Sequence, residues 1–502
     1  MRIYSSKNIQ NIEELTITST GQSWKELMDV AASRFVESIS PILEQKMWSQ
    51  IDIFCGNGNN GGDGFVIAKM LSQTDKYNIN VWVHSFSKNR SDLNQKHLKT
   101  LTHRNSINLY HIDNECIIPK FKKDTLIIDA IFGIGLNRPV LGNLVSIFDQ
   151  INSSDATVVS VDLPSGLMSD MKNNPNDSII DSNYIVSFQY PKISLFFDSN
   201  LYLLNKCKFI DIGLDHSQYN KNHFGQFITV ESNLIKIKDR DLASHKGILG
   251  RAMIIGGSKG MYGAPLLSAE ALQKVGAGYA MIQSCADVLN KITSPELIQI
   301  ESNKGEYVNR IVPMTKAVYG IGPGLGRNKE TAEALKLFFN EIQEPVVLDA
   351  DALYLISMYN LHPFIPKGSI LTPHLGEFKR LIQKENIDDV EKIEFIQTFA
   401  KKHQCIVVLK GPYSCIADEL SNLYFNSSGN ESLAVAGSGD VLTGMITGFL
   451  AQGYSPLEAA VKGVYYHGKA ADLFANEYHV SSLTPLSLID FIDQSLKIEN
   501  TI

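Results

Sequence analysis

The sequence predicts an α/β protein of two domains, and three observations support this fold class. Short apolar strands alternate with helical stretches along most of the chain, which is typical of parallel sheets covered by helices. A strand that runs into a glycine-rich turn and then into a helix occurs twice, at Ile51–Leu71 and at Gly250–Val275. The length of 502 residues suits two or three domains, since one domain typically takes about 100–200 residues.

Composition and charge narrow the class of protein further. Hydrophobic residues make up 44% and charged residues 20% of the chain, which is ordinary for a globular protein with large cores. The formal net charge is -7 and basic residues form no block, so we expect no nucleic-acid partner. The N-terminus leads into no apolar signal segment, and no apolar run is long enough to span a bilayer. We therefore expect a cytoplasmic protein without a membrane partner, in which the six cysteines, lacking a C-x-x-C pair, are reduced core thiols.

The first half begins with two predicted helices within Ile9–Ile39. The strand Ile51–Cys55 follows, then the loop Gly56–Gly64 and the helix Phe65–Leu71. Five glycines in the nine positions of this loop exceed what a simple reversal of direction requires, so the loop indicates a phosphate site at a helix N-terminus. Further strands are predicted at Ile79–His84, Thr125–Asp129, Thr157–Val161, Tyr184–Phe188 and Phe209–Ile212.

Three acidic residues stand in this loop and at the ends of later strands. Asp63 lies in the glycine loop, while Asp129 ends one strand and Asp162 follows another. Parallel sheets bind ligands at the carboxyl ends of their strands, so we expect these carboxylates to converge there with Asn60 and Ser165. Their oxygens suit a hard cation or a ribose. A single Asp after a strand is as often a loop cap as a ligand, but three at one edge favour a binding site.

The most specific motifs of this half are Gly58-Asn-Asn-Gly-Gly-Asp-Gly64, Asp129-Ala-Ile-Phe-Gly-Ile-Gly-Leu136 and Asp162-Leu-Pro-Ser-Gly-Leu167. They resemble the NAD(P)H-hydrate epimerase family, the YjeF N-terminal domain, and the similarity runs from about Lys7 to Leu214. The resemblance implies a Rossmann-like three-layer α/β/α domain, which we assign to residues 1–214. Asn57 stands where the family usually has Pro, and we expect only a small effect on the stiffness of the loop.

The same resemblance implies roles for individual residues. Asp162 would be the acid–base catalyst, while Asn60, Asp129 and Ser165 would hold a potassium ion. The pocket for the hydrated nicotinamide would be lined by Asn59, Asn60, Gly61, Gly62, Asp63, Gly133, Ile134, Gly135, Leu136, Asn137, Arg138, Pro139 and Asp162.

The second half begins after a polar stretch, Asp215–Gly225, that has little periodicity. It predicts a linker at 215–224 and a second domain at 225–502. The strand Gly250–Ile255 then runs into a glycine-rich turn and a helix. Buried strands that each lead into a polar or glycine-bearing loop are predicted within Tyr319–Gly326, Pro345–Leu353, Ile370–Phe378 and Cys405–Gly411.

The stretch Ala434–Asp440, which runs into the apolar helix Val441–Leu450, carries the strongest signal in this half. Residues 437–439 can turn the backbone tightly and direct N–H groups outward, and the following helix adds unpaired N–H groups of its own. Such a cradle suits a phosphate or the oxyanion formed during phosphoryl transfer. Asp440 is placed to accept a proton from a substrate hydroxyl, although Asp at this position is also a common helix cap.

His374 and Lys410 each have two interpretations. A lone histidine is more often structural than functional, but His374 follows a proline that fixes the turn and precedes Gly-Glu, which favours a substrate contact. Lys410 comes directly after a strand and beside Gly411, which suits a contact with phosphate. As an ordinary surface lysine it would have no functional meaning.

The ordered signatures of this half are His245-Lys-Gly247, Gly256-Gly-Ser258, Gly263-Ala264, Gly322-Pro-Gly-Leu-Gly326, Asp349-Ala-Asp-Ala-Leu353, Thr372-Pro-His-Leu-Gly-Glu377, Leu409-Lys-Gly411 and Gly437-Ser-Gly-Asp440. They resemble the ADP/ATP-dependent NAD(P)H-hydrate dehydratase family, the YjeF C-terminal domain, from about His223 to Ser495. The resemblance implies a ribokinase-like α/β fold. The family often has Thr where this chain has Ser438, and we expect no loss of activity from that difference.

This second resemblance also implies a division of roles. Asp440 would be catalytic. The hydrate would be bound by Ala264, Gly322, Gly324, His374 and Asp440. The adenine nucleotide would be bound by Lys410, Gly411, Pro412, Tyr413, Ser414, Gly437, Ser438 and Gly439.

Together the two resemblances imply repair of NADH or NADPH that carries a hydroxyl on C6 of the nicotinamide ring. The first domain would interconvert the R and S epimers. The second would dehydrate the S form with ADP or ATP as phosphoryl donor and Mg²⁺ as bridging ion, releasing AMP and phosphate when ADP is used. We expect a homo-oligomer whose partners are these small molecules.

Two alternatives stay open at this point. The second half could be a small-molecule kinase of the hydroxymethylpyrimidine or pyridoxal type, although the motif Thr372–Glu377 and the attached first domain argue against it. The first half could be a non-catalytic binding module. A module of that kind would be free to lose Asp129, Asp162 and the glycine loop, all of which are present.

Overall fold

The computed structural model describes residues 2–45, 47–74, 76–84, 90–102, 106–112, 118, 120–215, 226–228, 232–240 and 245–497. The chain divides into two compact units, Arg2–His223 and Phe224–Ile502. The predicted linker 215–224 lies outside the described residues except for Asp215, so the predicted domain boundaries stay predictions. Among the helices that are described, none combines the length and the apolar character that crossing a membrane requires.

The first unit begins with the short strand β1 (Arg2–Ile3) and is built on a parallel sheet to which β1 does not belong. The strands of this sheet are β2 (Gln50–Cys55), β3 (Ile79–His84), β4 (Ile107–Ile112), β5 (Thr125–Ala130), β6 (Thr157–Val161), β7 (Tyr184–Phe188) and β8 (Cys207–Ile210). Its helices are α1 (Ser6–Thr20), α2 (Trp24–Gln45), α3 (Asn59–Leu71), α4 (Asp92–Leu101), α5 (Asn143–Asn152) and α6 (Leu201–Leu204). The sheet has the order β4-β3-β2-β5-β6-β7-β8, and every neighbouring pair is parallel.

Helices cover both faces of this sheet. Residues of α1 to α4 pack in one core with Ile53 and Cys55 of β2, whereas residues of α5 pack in a second core with Phe54 of the same strand. Successive residues of a strand point to opposite faces, so the two cores lie on opposite sides of the sheet. This confirms the predicted three-layer α/β/α architecture.

The glycine loop differs from the prediction. The helix after β2 begins at Asn59 rather than at the predicted Phe65, so most of the loop forms the first turns of α3. Glycine allows this helix to approach its neighbours closely, because a Cβ atom on Gly61 would lie 2.0 Å from Gly56 O. A Cβ atom on Gly64 would lie 2.7 Å from Cys55 Sγ. Close backbone packing, rather than a long flexible turn, therefore accounts for these two glycines.

The second unit contains a larger, mostly parallel sheet. Its strands are β9 (Gln226–Ile228), β10 (Arg251–Ile255), β11 (Tyr279–Cys285), β12 (Ile298–Asn303), β13 (Ala317–Ile321), β14 (Val347–Leu348), β15 (Ile370–Leu371), β16 (Ile406–Leu409), β17 (Cys415–Ala417) and β18 (Leu423–Phe425). The order is β9-β18-β17-β16-β15-β14-β13-β10-β11-β12. Only β17 runs antiparallel to its neighbours among these strands.

The helices of the second unit surround this sheet. They are α7 (Ser232–Ile235), α8 (Gly263–Lys274), α9 (Ala286–Leu289), α10 (Lys329–Glu341), α11 (Ala350–Met358), α12 (Leu375–Leu381), α13 (Asp389–His403), α14 (Ser438–Ala451), α15 (Pro456–Glu477) and α16 (Pro485–Lys497). Helix α14 packs closely against α8, because a Cβ atom on Gly444 would lie 2.1 Å from Ser268 O. Ser268 Oγ also donates to Asp440 O at 2.7 Å, which fixes the first turn of α14. The alternation of strands and helices confirms the predicted α/β class for this half.

The sequence prediction misses several strands, among them the buried seven-residue strand β11. β4 and β12 lie at sheet edges and expose half of their residues, so they lack a continuous apolar run. β17 and β18 have only three residues each. The described cysteines Cys55, Cys207, Cys285, Cys405 and Cys415 are free, and all except Cys207 are buried, as predicted; Cys116 lies outside the described residues.

Candidate active sites

Asp129, at the end of β5, is a fully buried carboxylate. Ser165 donates to it from both its hydroxyl, at 2.5 Å, and its backbone N–H, at 2.8 Å. Ser160 Oγ and the Ile131 N–H also donate, at 2.7 and 3.3 Å. Burial raises the pKa of Asp129 above its ordinary value, although these hydrogen bonds act in the opposite direction. Asp129 and Ser165 therefore lie together, as predicted, and no cationic side chain is paired with Asp129 among the described residues.

Asp162 directly follows β6 in a strained conformation. Its φ is +67°, a value that non-glycine residues rarely adopt. Oδ1 accepts from Lys192 Nζ at 2.5 Å and from the Phe188 N–H at 3.1 Å. Lys192 is fully buried and is absent from the sequence prediction, because a lone lysine after a strand gives no pattern that distinguishes it.

Asn60 and Asp162 face each other across Gly133. A Cβ atom on Gly133 would lie 3.2 Å from Asn60 Oδ1 and 3.3 Å from Asp162 Oδ2. Asn60 is the second residue of α3, and the N–H groups of residues 59–61 donate to no described residue, since the first paired amide of this helix is that of Gly62. The Asn60 Nδ2 atom is buried without a partner. Glycine at position 133 therefore leaves room beside two polar side chains and a helix N-terminus.

The remaining residues predicted for this pocket fall into two groups. Asn59, Gly135, Asn137, Arg138 and Pro139 are exposed, and Ile134 and Leu136 are half-buried. Gly61 and Gly62 are buried in the first turns of α3, where a Cβ atom on Gly62 would lie 2.8 Å from the Met28 side chain. The structure thus gives these two glycines a packing role, and a substrate contact through them stays a prediction.

Two further carboxyl groups belong to this cluster. Asp63 is buried in α3, and burial, with the charges of Asp162 and Glu13, raises its pKa well above the ordinary value. Burial and the charge of Asp162 raise the pKa of Glu13, on α1, to about 7, although Lys192 acts in the opposite direction. Sequence reasoning found Asp63 through the glycine motif but not Glu13, which stands in an ordinary amphipathic helix.

In the second unit, the turn before α14 forms the predicted N–H cradle. Gly437 has φ +94° and serves as the N-cap residue, with no side chain capping the helix. The N–H groups of Gly439 and Asp440 donate to no described residue. Ser438 is held by buried His467, whose Nε2 lies 2.9 Å from Ser438 O and 3.2 Å from Ser438 Oγ. Burial lowers the pKa of His467 to about 4, so this histidine is neutral near pH 7.

Asp440 is not a helix cap. Its carboxylate accepts no hydrogen bond from the described residues, so the capping alternative is wrong. Burial and the neighbouring Asp349 raise the pKa of Asp440 to about 7, and Lys410 acts in the opposite direction. A carboxyl group that exchanges its proton near neutral pH suits general-base catalysis.

Lys410 is bonded to a buried acid rather than free at the surface. Its Nζ donates to Asp349 Oδ1 at 2.7 Å and lies 4.0 Å from Glu377 Oε2. Burial lowers the pKa of Lys410, but the carboxylates of Asp349 and Glu377 outweigh it and raise the pKa overall. Thr443 Oγ1 donates to Asp349 Oδ2 at 2.7 Å, and a Cβ atom on Gly439 would lie 3.4 Å from Lys410 Nζ. Asp349 therefore links the lysine to the helix that carries Asp440.

Asp349, Glu377, Thr443 and His467 are absent from the sequence-based site. Two of them, Asp349 and Glu377, stand inside motifs that the sequence analysis quotes, so attention to every acidic residue of those motifs could have found them. No sequence pattern singles out Thr443 or His467. They become recognisable only when their contacts with Asp349 and Ser438 are known.

His374 caps helix α12 through one ring nitrogen, which leaves the other ring nitrogen available. Its Nδ1 accepts from the N–H groups of Gly376 and Glu377 at 3.0 and 3.3 Å, forming a capping box at the start of α12. The side chain is 60% exposed, and Nε2 lies 3.6 Å from Glu377 Oε1. Because Nδ1 accepts, the neutral ring carries its proton on Nε2 and can donate it to a ligand. Both interpretations of His374 are therefore compatible.

The glycine loop after β13 lies beside Ala264, as the sequence predicts. A Cβ atom on Gly324 would lie 3.4 Å from Ala264 Cβ. Gly322 has φ +128°, and a Cβ atom there would lie 1.8 Å from Asp349 O, so only glycine fits. Ser258 Oγ donates to Gly324 O at 2.9 Å, which joins this loop to the earlier glycine turn. Gly322 thus supports Asp349, while Gly324 faces Ala264.

The segment after Lys410 forms an open surface. Gly411 and Pro412 are exposed, Tyr413 and Ser414 are half-buried, and a Cβ atom on Gly411 would meet nothing within 4 Å. This openness is compatible with the predicted nucleotide contacts of Gly411, Pro412, Tyr413 and Ser414. Those contacts stay predictions.

Comparison with known proteins matches both units to one kind of enzyme. Residues 24–194 match the family model described as YjeF-related protein N-terminus, and residues 252–494 match the model described as NAD(P)H-hydrate dehydratase. A protein of Dictyoglomus turgidum named bifunctional NAD(P)H-hydrate repair enzyme Nnr is 30% identical over 98% of this chain and 98% of its own length. The protein of the same name from Moorella thermoacetica is 31% identical, over 94% of this chain and 92% of its own length.

A solved structure also matches the second unit. It is the ADP/ATP-dependent NAD(P)H-hydrate dehydratase from Bacillus subtilis, co-crystallized with ATP and Mg²⁺. It has 31% sequence identity and a TM-score of 0.48, and the match covers 54% of this chain and 98% of that one. On the near full-length sequence relatives, the chain belongs to the family of bifunctional NAD(P)H-hydrate repair enzymes.

Proposed function

We propose that the two units catalyse successive steps of NAD(P)H-hydrate repair, epimerisation in the first and nucleotide-dependent dehydration in the second. The observation that carries this proposal is that each unit places one carboxylate, Asp162 or Asp440, beside a helix N-terminus whose N–H groups have no acceptor among the described residues. Relatives that match nearly the whole chain carry the name of this bifunctional enzyme, which supports the pairing of the two activities.

In the first unit, Asp162 is placed to move the proton of the C6 hydroxyl. C6 of the hydrate bears both this hydroxyl and the ring nitrogen, so removal of the hydroxyl proton allows the C6–N bond to open to an aldehyde. Asp162 then returns the proton to the nitrogen, and reclosure on the other face gives the other epimer. Gly133 leaves the space for the ring beside Asn60 and Asp162, and the unpaired N–H groups of α3 would hold phosphate oxygens.

In the second unit, Asp440 takes the proton of the C6 hydroxyl while that oxygen attacks the terminal phosphate of the nucleotide. The P–O bond to the leaving nucleotide breaks, so ADP becomes AMP and the hydroxyl becomes a phosphate ester. The ring nitrogen then expels phosphate, and loss of a C5 proton restores the dihydronicotinamide. The N–H groups of Gly439 and Asp440 stabilise the moving phosphoryl group, and Lys410 has ammonium hydrogens beyond the one that bonds Asp349.

The donor set at Asp129 fits a potassium ion. Carboxyl, hydroxyl and amide oxygens are ligands that hard cations prefer, and no cationic side chain occupies the position beside Asp129 among the described residues. Ser165 Oγ lies 2.5 Å from Asp129 Oδ1, and its hydrogen has a second acceptor, Phe132 O, at 3.3 Å, so both oxygens can turn toward one cation. Asn60 would supply an amide oxygen. When bound, K⁺ would supply fixed positive charge beside the loop that contains Gly133.

The acidic residues of the second unit fit a phosphate-bound Mg²⁺. This ion usually takes one or two carboxylates and completes its shell with waters and phosphate oxygens. Glu377 is the carboxylate that would hold it, since Asp440 is the proposed base and Asp349 already accepts from Lys410, Thr443 and the Ala350 N–H. When bound, Mg²⁺ would neutralise charge on the nucleotide phosphates. ADP and ATP both suit these groups, and ADP is our preferred donor.

The proposal is tested by incubating the full chain with a mixture of R and S NADH hydrates, with ADP, with ATP and with neither. We expect full recovery of dihydronicotinamide absorbance from both epimers with one nucleotide and none without. NADPH hydrate in a parallel series measures the preference between the two substrates. Failure to recover absorbance with either nucleotide would contradict the dehydratase assignment and would favour a screen of vitamin-like alcohols as phosphoryl acceptors.

Other parts of the prediction need their own measurements. Family membership favours a repair enzyme over both a vitamin kinase and a binding module. A homo-oligomeric state, cytoplasmic location and the absence of nucleic-acid or membrane partners stay predictions. Light scattering of the purified chain measures the first, and cell fractionation the second.

A further inference from the structure

Lys192 is a lysine placed where lysines are rarely found. Its side chain is only 1% exposed, and its Nζ donates to Asp162 Oδ1 at 2.5 Å, Ser187 Oγ at 2.9 Å and Phe188 O at 3.0 Å. The three ammonium hydrogens therefore have three acceptors. Taking an ammonium group out of water costs several kcal/mol by order of magnitude, and a buried ion pair is weak support for stability by itself. Its position suggests a task other than holding the fold together.

The two oxygens of Asp162 have different surroundings. Oδ1 accepts from Lys192 and from the Phe188 N–H, whereas Oδ2 accepts no hydrogen bond from the described residues. Oδ2 lies on the side of Gly133, 3.3 Å from the position of a Cβ atom there. Asp162 also has a left-handed backbone, with φ +67°, which non-glycine residues rarely adopt. One oxygen is thus held by the protein and the other is left facing the proposed substrate space.

Several titratable groups face Asp162 from the surrounding elements. Glu13 lies on α1, Asp63 on α3, Cys207 on β8, and Lys192 follows β7. Burial raises the pKa values of Glu13, Asp63 and Cys207, the first to about 7 and the last to about 12. Within this cluster, the ammonium group of Lys192 is bonded to one carboxylate only, that of Asp162.

We propose that Lys192 is a positioning residue of the epimerase site, which holds Oδ1 of Asp162 and thereby turns the free Oδ2 toward the substrate. The inference rests on the proposed epimerase function and deepens it. Lys192 itself touches no reacting atom in this scheme, because all of its donors are used within the protein. It acts through Asp162.

The test compares Lys192→Met, Lys192→Arg, Asp162→Asn and the double variant Lys192→Met/Asp162→Asn in the full chain. The rate of R-to-S conversion of NADH hydrate is measured against pH, and ADP-dependent dehydration of the S epimer in the same samples reports the integrity of the second unit. Lys206→Met is the matched control, since this lysine forms an ion pair with Asp181 at the surface of the same unit.

For Lys192→Met we expect kcat for epimerisation near pH 7 to fall by about 100-fold, the order of magnitude for a misplaced catalytic group, with a smaller change in KM. The fall in kcat should exceed the change in KM at every pH measured, because Lys192 orients the carboxylate of Asp162 and does not contact the substrate. Lys192→Arg should retain part of the activity. The double variant should be no slower than Asp162→Asn, because a residue that acts only through Asp162 has nothing to lose once that charge is gone.

Three outcomes would overturn the inference. They are a loss in Lys192→Met that lies in KM alone, a Lys192→Arg variant no more active than Lys192→Met, or a double variant slower than Asp162→Asn by the full factor of Lys192→Met. If Lys192→Met does not fold, the kcat and KM of Lys192→Arg decide in its place, and a loss in KM alone would overturn the inference. Absence of epimerisation in the wild-type chain would instead contradict the proposed function, so the two failures are distinguishable.

Discussion

In each unit a carboxylate lies beside a helix N-terminus, but only in the first unit is that carboxylate bonded to the lysine of the site. In the first unit, Asp162 accepts from buried Lys192 at 2.5 Å. In the second, the site lysine, Lys410, is bonded to Asp349 at 2.7 Å, and the carboxylate of Asp440 accepts no hydrogen bond from the described residues. Burial and the charge of Asp349 raise the pKa of Asp440 to about 7.

The comparison indicates that the acid to which the lysine is bonded determines whether the proposed base is held in an ion pair or is left without a hydrogen bond. In the first unit a direct ion pair holds the carboxylate of Asp162 in one orientation. In the second, the lysine is bonded to another acid and the pKa of Asp440 is about 7, so this carboxyl group can gain and lose a proton near neutral pH. In the proposed mechanism, the epimerase step returns its proton to the same substrate, whereas the dehydratase step carries the hydroxyl proton away while a phosphoryl group arrives.

The largest effect that would sharpen this comparison is expected from Asp440→Asn. Loss of a general base typically lowers the rate by about 10²–10⁴-fold, so ADP-dependent formation of NADH from the S hydrate should fall by that amount. Epimerisation, followed by chromatography of the two hydrates, should be unchanged. Asp493→Asn is the control, since Asp493 is an exposed acid of the same unit that pairs with Lys497. Equal loss in both variants would show that the effect is not specific to the site.

The packing of the first site can be disrupted by substituting a glycine of α3. Gly61→Ala should lower the free energy of unfolding of the first unit by about 1–3 kcal/mol, because the added Cβ would lie 2.0 Å from Gly56 O. Epimerisation should fall with it. Gly58→Ala is the matched control three residues away, where a Cβ atom would meet nothing within 4 Å. Denaturant unfolding measures both, and similar stability of the two variants would contradict the close approach of α3 to its loop.

The charge difference predicts a pH dependence for the second site. Asp440 must be ionised to act as a base, so kcat/KM for dehydration should rise with pH through about 7 and level off above it. Lys410→Met should move this limb to higher pH, because Lys410 lowers the pKa of Asp440. The position of the limb, rather than the absolute rate, is the relevant measurement, since Lys410 is also a proposed nucleotide ligand. If the limb of Lys410→Met stays at the wild-type pH, Lys410 does not affect the pKa of Asp440.

The smallest effect is expected on the free energy of unfolding of the Asp440→Asn variant. A carboxyl group whose pKa is raised in the folded state destabilises that state as pH rises from its unfolded value of 3.8 through about 7. Asp440→Asn should therefore increase the free energy of unfolding of the second unit by about 1–2 kcal/mol above pH 7, a figure reduced for partial exposure and screening. The gain should vanish below pH 3.8. Thermal unfolding across this pH range would contradict the account if the gain were constant.

The sequence predicts the architecture well, and its motifs bring some of the proposed site residues together. Strands such as β3, β6 and β7 are predicted to the residue, because each is a short apolar run bounded by turn signals. The motifs bring Asn60 and Asp162 together across Gly133, and Gly324 beside Ala264. These contacts follow from the rule that loops at the carboxyl ends of parallel strands converge.

The partners of the catalytic acids could not be predicted in the same way. Asp162 follows β6 and Lys192 follows β7, so the two residues are distant in sequence. Lys410 is bonded to Asp349, which lies sixty-one positions earlier in the chain. A lysine between apolar residues has the same local pattern whether it is a surface residue or a buried cation. The start of α3 was also misplaced, because glycines that permit close packing of a helix look the same in sequence as glycines of a flexible loop.

The most direct test of two separate sites is complementation between Asp162→Asn and Asp440→Asn with a mixed R and S NADH hydrate and ADP. Alone, Asp162→Asn should restore NADH from the S epimer only, and Asp440→Asn should interconvert the epimers without forming NADH, each measured against the enzyme-free rate. An equal mixture of the two variants should recover NADH from both epimers. A mixture that recovers no more than Asp162→Asn alone, or an Asp162→Asn variant that consumes both epimers at the wild-type rate, would contradict the account.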